Sequence, residues 1–495
     1  MSPLDAPGAD GGAASRGPAG LRLGMLCLAL LGLALVLRIP SFSDRVFNSD
    51  EAYLATQAQS LTHGARLYLD SVDRKPPVVP YLYAAVFGAT GSDDLGAVRV
   101  VAALAAGCTA VLLALEARRR FRWRHAALAA GVLYLLAAAS LRPLDAQAAN
   151  FEVFAAPITT AAVLLALRRR TVASGITLAI ATLTLQAAAV ALVPVAWLTW
   201  RARRARGIGV LVAAFVVPIV VTALAFGWSP FVRWVFTSND SYLAGGDGFG
   251  QVLRLGLSQT GWFLVGSSVL VVLAAFAWRR RADDVELWLW TAAAIVPVVA
   301  GLRFFGHYYL GLLPPLTLLG VRGLTAPQLL ERRWVLAVVA GVAVVTSAVF
   351  LGLAFADGNT KDTRVAIAVG RYLAAHTTND ERVLVWGQAP EAYWTADRRP
   401  ATRFATTGFL TGSTGGRDPA HVGMQYAVPG SWSDFLADLR AHPPTLIADM
   451  STADQRHAAH YPPRRFPPFA RYLARGHWRR VATVDGVAIL ESPTH

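Results

Sequence analysis

Asn48-Ser49-Asp50-Glu51 opens the first polar stretch after an apolar run, and its two adjacent carboxylates include a candidate general base. Asp50 could equally cap the N-terminus of a helix. Tyr53, Gly64, Tyr68 and Asp70 follow, then Asp73-Arg74-Lys75-Pro76-Pro77. Two prolines hold Lys75 just ahead of an apolar segment, where its ammonium could neutralise a phosphate at a membrane surface. The plainer alternative is a lysine that snorkels to headgroups. A second polar stretch runs Arg142-Pro143-Leu144-Asp145-Ala146-Gln147-Ala148-Ala149-Asn150-Phe151-Glu152. Asn150 and Glu152 stand near membrane depth, where an ionisable side chain faces a cavity or a partner. Capping by Asn150 with a salt bridge is the alternative. A third stretch, Arg303-Phe304-Phe305-Gly306-His307-Tyr308-Tyr309, adds two bases and a tyrosine pair that could also be an interface anchor. Acids in the first two stretches and bases in the first and third suit transfer from a membrane phosphate ester. One carboxylate takes the proton of an acceptor hydroxyl, and cations stabilise the departing phosphate.

The elements that must position these residues follow from composition. The 495 residues are 55% hydrophobic and only 16% charged, which points to a membrane protein. The net charge of +15 does not indicate nucleic acid, because the arginines sit in short clusters between apolar runs. Those clusters are Arg118–Arg120, Arg168–Arg170, Arg201–Arg206 and Arg279–Arg281. Cys27 and Cys108 lie inside apolar runs and form neither a disulfide framework nor a metal-ligand spacing.

Residues 1–20 should be a disordered cytoplasmic tail. Residues 21–37 make an uncleaved first helix, and further apolar stretches bring the count to about eleven spans, several short for a bilayer of roughly 30 Å. The run between Arg170 and Arg201 is basic at both ends and reads as a tight hairpin. Placing the basic clusters in the cytoplasm puts all three polar stretches and everything after about residue 357 outside the inner (plasma) membrane. The apolar segment 76–90 reads as a helix lying at the outer interface.

From residue 357 the apolar runs shorten to strand length, at 383–386 and 445–448, and Asp485-Gly486 marks a hairpin. Helical patterns cover 366–375 and 435–439, the second with Ser433 as N-cap. The expected architecture is a polytopic helical membrane domain, residues 21–356, with its first outer loop at 39–93 catalytic. A small extracytoplasmic α/β domain, residues 357–495, follows it. Asp434, Asp438, Asp449, His457 and His460 in that domain show no metal or triad spacing and read as surface.

Asp50-Glu51-Ala52-Tyr53, Gly64, Tyr68, Lys75-Pro76-Pro77 and Ala97-Val98-Arg99 together resemble the GT-C glycosyltransferases. The branch is the one with protein O-mannosyltransferases and lipid A aminoarabinose transferases. Ala149-Asn150-Phe151-Glu152 and His307-Tyr308-Tyr309 with Pro314-Pro315 resemble its bacterial members. The resemblance covers about residues 20–356 and a C-terminal domain of the expected size and side. It implies inverting transfer from a polyprenyl-phosphate sugar, with Asp50 as base, Glu51 as its neighbour, Asp145 as the second-loop acid and Lys75 on the phosphate. Tyr53, Asn150, Glu152, Arg303, His307 and Tyr308 complete the expected substrate-binding set. Arg74 stands where the aminoarabinose branch has an acid linked to metal binding, so no metal ligand carries over and a divalent metal stays open. The partners expected are the polyprenyl-phosphate donor, a lipid, glycan or protein acceptor of the cell envelope, and the bilayer.

A transporter or flippase of lipid-linked sugars is the alternative. It should show interrupted helices at corresponding places in two halves. The sequence has no such symmetry, and its polar groups gather outside the midplane. A third reading, a scaffold presenting the outer domain, leaves Asp50, Lys75 and Arg303 without a role.

Overall fold

The long apolar runs fold as helices, α1 (Pro18–Leu37) through α14 (Arg333–Asp357), and the strands gather at the C-terminal end of the chain. The computed structural model describes residues 18–239, 248–326, 329, 333–357, 360–413 and 421–493. The expected tail thus lies outside the described residues up to residue 17. Between α1 and α14 lie α2 (Ser49–Thr62), α3 (Val78–Thr90), α4 (Leu95–Arg120), α5 (Ala126–Ala139), α6 (Pro143–Gln147) and α7 (Phe151–Leu167). They are followed by α8 (Thr171–Thr184), α9 (Leu192–Ala225), α10 (Phe249–Gly266), α11 (Ser268–Ala277), α12 (Val285–Ala300) and α13 (Leu313–Leu324).

Three described helices are long and apolar enough to cross a membrane, Leu95–Arg120, Gln186–Ala225 and Trp334–Ala356. A fourth is the pair Phe249–Gly266 and Ser268–Ala300 if that pair, bent by 78°, is taken as one span. The figure of about eleven spans is not reached by this measure, because α5, α7 and α8 have only 14 to 17 residues. Val338, Val342, Val345 and Val349 of α14 are exposed apolar side chains, the surface a lipid-facing helix presents.

The hairpin between Arg170 and Arg201 takes a different form from the expected one. α8 ends at Thr184, Leu185 is extended, and the chain re-enters through a short 3₁₀ turn, Gln186–Ala191. The Arg201–Arg206 cluster marks a break. Leu192–Ala225, α9, consists of two helical segments that meet at a kink at Arg204, whose backbone (φ 54°, ψ −150°) is not helical. The basic cluster thus separates the apolar stretches on either side of it. The interfacial segment forms α3, closed at Gly91 (φ 66°) by the left-handed cap that favours glycine.

In the C-terminal part, α15 (Lys361–His376), α16 (Pro390–Ala396), α17 (Ser431–Ala441) and α18 (Pro467–Arg475) accompany a five-stranded sheet of order β2-β1-β3-β5-β4. β1 (Arg382–Trp386) is parallel to β2 (Arg399–Pro400) and β3 (Leu446–Asp449), while β4 (Arg479–Val484) and β5 (Val487–Glu491) form an antiparallel hairpin on the far edge. Asp485 and Gly486 both have positive φ, as a two-residue hairpin turn requires. α17 begins at Ser431, two residues before the expected cap. Ser433 lies inside it, and its hydroxyl donates to the Gly430 carbonyl.

The sheet domain does not hang free. One apolar core joins Trp386, Phe404, Phe409 and Phe435 to Leu67, Tyr68 and Val72 of the first outer stretch and to Phe231 and Trp234. Trp234 meets Phe409 edge to face at 5.6 Å. The Thr56 hydroxyl donates to Pro390 O, the Gln59 amide donates to Trp394 O, and the Trp394 indole donates to Asp93 O, so α16 lies along α2.

Candidate active site

Asn48 caps α2 by accepting the Asp50 amide at 2.8 Å, which frees the Asp50 side chain from capping. Asp50 is exposed, and its neighbour Glu51 is 0% exposed. Both Glu51 oxygens are spent. Arg99 donates to Oε2 at 2.7 Å and to Oε1 at 3.3 Å, and the Ala149 amide donates to Oε1 at 2.7 Å. Glu51 therefore ties α2 to α4 and to the second outer stretch, and no oxygen of it is left for a substrate proton.

That second stretch is fastened through its backbone. Arg38, at the end of α1, donates to the carbonyls of Ala146 (3.0 Å), Gln147 (2.8 Å) and Ala148 (2.7 Å). The Tyr83 hydroxyl donates to Ala149 O at 2.7 Å, and the Asn48 amide donates to Leu144 O at 3.1 Å. Asp145 is presented by the short α6 between these ties. Asn150 stands at the N-cap of α7, yet its side chain caps nothing, so the capping alternative does not hold.

The third stretch meets Asp145. His307 Nδ1 lies 2.5 Å from Asp145 Oδ1, and His307 Nε2 lies 4.0 Å from Glu152 Oε1. Gly306 makes this approach possible, because a Cβ there would overlap the Asp145 carboxylate. Burial drives the His307 pKa down, but the Glu152 charge and the Asp145 hydrogen bond drive it up further, to about 9. Asp50 belongs to the same field. Although the residue keeps accessible surface, the protein packed around its carboxyl raises the pKa, His307 and Lys75 lower it, and Glu152 and Asp145 raise it, for a net rise. A carboxylate held above its ordinary value accepts a proton more readily.

Lys75 completes the cluster. The Tyr53 hydroxyl donates to Val72 O at 2.6 Å, and Tyr68, in a left-handed conformation at φ 71°, donates to Lys75 O at 2.9 Å. Tyr53 thus supports the loop through its backbone. The Lys75 ammonium lies 5.5 Å from the Phe151 ring and 6.0 Å from the Tyr308 ring, and no carboxylate is ion-paired with it among the described residues. The Arg74 guanidinium sits 4.5 Å over the Phe409 ring. Arg303 is buried in the turn between the left-handed residues Leu302 and Phe304, and it lines neither cavity described next.

Two cavities meet at Glu152. One lies beside the Asp145–His307 pair and is walled by Arg38, Tyr134, Gln147 and Asn150 among aliphatic residues. The other is chiefly apolar, with Leu185, Val190, Trp290 and Pro314 in its wall and Tyr308 at its polar end. Among the described residues, no three His, Cys, Asp or Glu side chains gather closely enough to hold a metal ion.

Sequence reasoning missed Arg38, Tyr83 and Gly306. A lone basic residue directly after the apolar run of α1, apart from the arginine clusters, was the available signal for Arg38. In the sheet domain, Asp438 pairs with Arg403 and Asp434 with Arg233, both at 2.7 Å, as structural contacts.

No protein-family model matches the chain, and no curated protein matches it in sequence. Solved structures do match in fold. ArnT from Cupriavidus metallidurans bound to undecaprenyl phosphate is 15% identical at a TM-score of 0.60, covering 94% of this chain and 97% of that one. Its apo state is 16% identical at 0.61, over 95% and 98%. The Archaeoglobus fulgidus oligosaccharyltransferase, in complex with Zn and sulfate, is 12% identical at 0.56, over 90% of this chain and 71% of its own. The chain therefore has the fold of the GT-C glycosyltransferases that its motifs resemble.

Proposed function

We propose that this protein transfers a sugar from a polyprenyl-phosphate donor to a hydroxyl of a cell-envelope acceptor, with inversion, on the outer face of the inner membrane. In this reading the N-terminus is cytoplasmic and the sheet domain extracytoplasmic. The observation that carries it is the convergence of Asp50, Asp145, Glu152, His307 and Lys75 from three separate stretches, with Glu152 also in the wall of an apolar cavity. That one ArnT structure holds undecaprenyl phosphate supports the choice of donor.

Asp50 accepts the acceptor proton as the oxygen attacks the anomeric carbon from the face opposite the phosphate. The bond from that carbon to the phosphate oxygen breaks, and Lys75 meets the charge that grows on the leaving phosphate. Asp145 and His307 hold one another in place across the pocket. Glu51 positions α2 and touches no substrate. The test is transfer of radiolabel from a polyprenyl-phosphate sugar to an envelope fraction by the protein in vesicles. Wild type should move label out of the lipid pool and Asp50→Asn should not. Equal product from both would contradict the reading.

A further inference from the structure

The cavity beside the Asp145–His307 pair offers more hydrogen-bonding capacity than the chain itself uses. Asn150 is 3% exposed, and neither its Oδ1 nor its Nδ2 has a partner among the described residues. Gln147 is fully buried. Its Nε2 donates to Leu37 O at 3.0 Å, and its Oε1 accepts nothing. The Tyr134 hydroxyl is buried as well, with the Thr109 side chain beside it. All three side chains line the one cavity, together with Glu152. Each orphaned buried polar group costs about 1–3 kcal/mol, so a wall of this kind is suited to a guest bearing complementary groups.

The cations of the wall restrict what that guest is. Arg38 gives both Nη atoms to three carbonyls and keeps only Nε without a partner among the described residues, and His307 is held by Asp145. A carboxylate on the guest would find that single donor and the repulsion of Asp145 and Glu152. The orphaned Asn150 amide and Gln147 amide oxygen, with the Tyr134 phenol in the same wall, instead suit hydroxyl groups, which donate and accept in turn. Glu152 belongs to both cavities. A lipid chain in the apolar cavity and a head group in the polar one would join there, near Tyr308 and the Lys75 ammonium.

We propose that this cavity seats the sugar ring of the donor, and that Asn150, with Gln147 and Tyr134, selects an uncharged, hydroxyl-rich sugar over a uronate or a deoxysugar. The inference rests on the polyprenyl-phosphate reading above. A site built around hydrogen bonds to hydroxyls rejects an analogue that lacks them, because its own buried groups are then left unpaired.

The experiment measures binding by the full-length protein in nanodiscs. The probes are undecaprenyl phosphate and its neutral hexose, deoxyhexose and hexuronate esters. Wild type should bind the best neutral hexose lipid about tenfold or more tightly than the bare lipid. Asn150→Ala should remove about tenfold of that preference, roughly one hydrogen bond's worth, while affinity for the bare lipid stays the same. Tyr134→Phe, which deletes only the hydroxyl, should remove a smaller part. Asn150→Ala should not lower the unfolding midpoint, since the side chain makes no hydrogen bond to lose. Equal loss for both lipids, no loss for either, or tightest binding of the hexuronate would overturn the proposal. Lys75→Met separates the two readings, because it should weaken bare and sugar-bearing lipids alike. If bare lipid binding is absent or ignores Lys75→Met, the donor reading itself fails and the pocket assignment with it.

Discussion

Opposite ends of the α12–α13 pair carry two clusters of the same residue types in contrasting states. At one end, Asp284 is 0% exposed and fully engaged. Arg120 donates to it at 2.6 Å, and Arg322 donates to both of its oxygens at 2.6 and 2.9 Å. Arg120 also bonds Glu286. Two acids and two arginines close on each other, and α4, α12 and α13 are fastened where they meet. At the other end Asp50 is exposed, Lys75 lies near two aromatic rings with no ion-paired carboxylate among the described residues, and Asn150 is buried with both polar atoms orphaned. The lesson is that charge in a helical membrane domain does not itself mark chemistry. Incomplete satisfaction of that charge does, because an enzyme must leave partners for its substrate.

Substitutions can break this contrast from either side. Asp284→Ala leaves two half-buried arginines without the fully buried anion they share and should cost about 3 kcal/mol, read as a lowered denaturation midpoint in detergent. His307 gives a smaller, pH-dependent effect. Its pKa is raised in the folded protein to about 9 from 6.5, so its contribution is fully present below pH 6.5 and is lost as pH rises through about 9. Wild type should therefore lose stability between those values, and His307→Gln should show a flatter curve. Gly306→Ala pushes a methyl group into Asp145 and should cost about 1–3 kcal/mol as overpacking, with reduced transfer. At the bottom of the scale, Arg66 pairs with Asp70 on the surface, and Arg66→Ala should leave both stability and transfer unchanged.

The three outer stretches were legible because each interrupts an apolar run with groups that a bilayer penalises, and because the arginine clusters assign all three to one face. The hairpin at Asp485-Gly486 was legible because its turn demands positive φ at both residues. What escaped the sequence is contact across long separations. Arg38 reaches carbonyls more than a hundred residues away. Glu51 looks like a second catalytic acid until Arg99 and the Ala149 amide are seen to occupy it. The two-residue strand Arg399–Pro400 is too short to carry an alternating pattern, and it exists only because β1 offers an edge to pair with. The Asp284 cluster was equally hidden, since its partners come from three helices.

The most direct test of the account sets Asp50→Asn beside Asp284→Asn, with transfer of labelled sugar and the unfolding midpoint measured on the same preparations. Asp50→Asn should lower transfer by about 10²–10⁴-fold with the midpoint unchanged, as loss of a general base does. Asp284→Asn should lower the midpoint while the protein that remains folded retains transfer. If Asp50→Asn kept its activity, or Asp284→Asn abolished it at an unchanged midpoint, the placement of chemistry at the outer site would be contradicted.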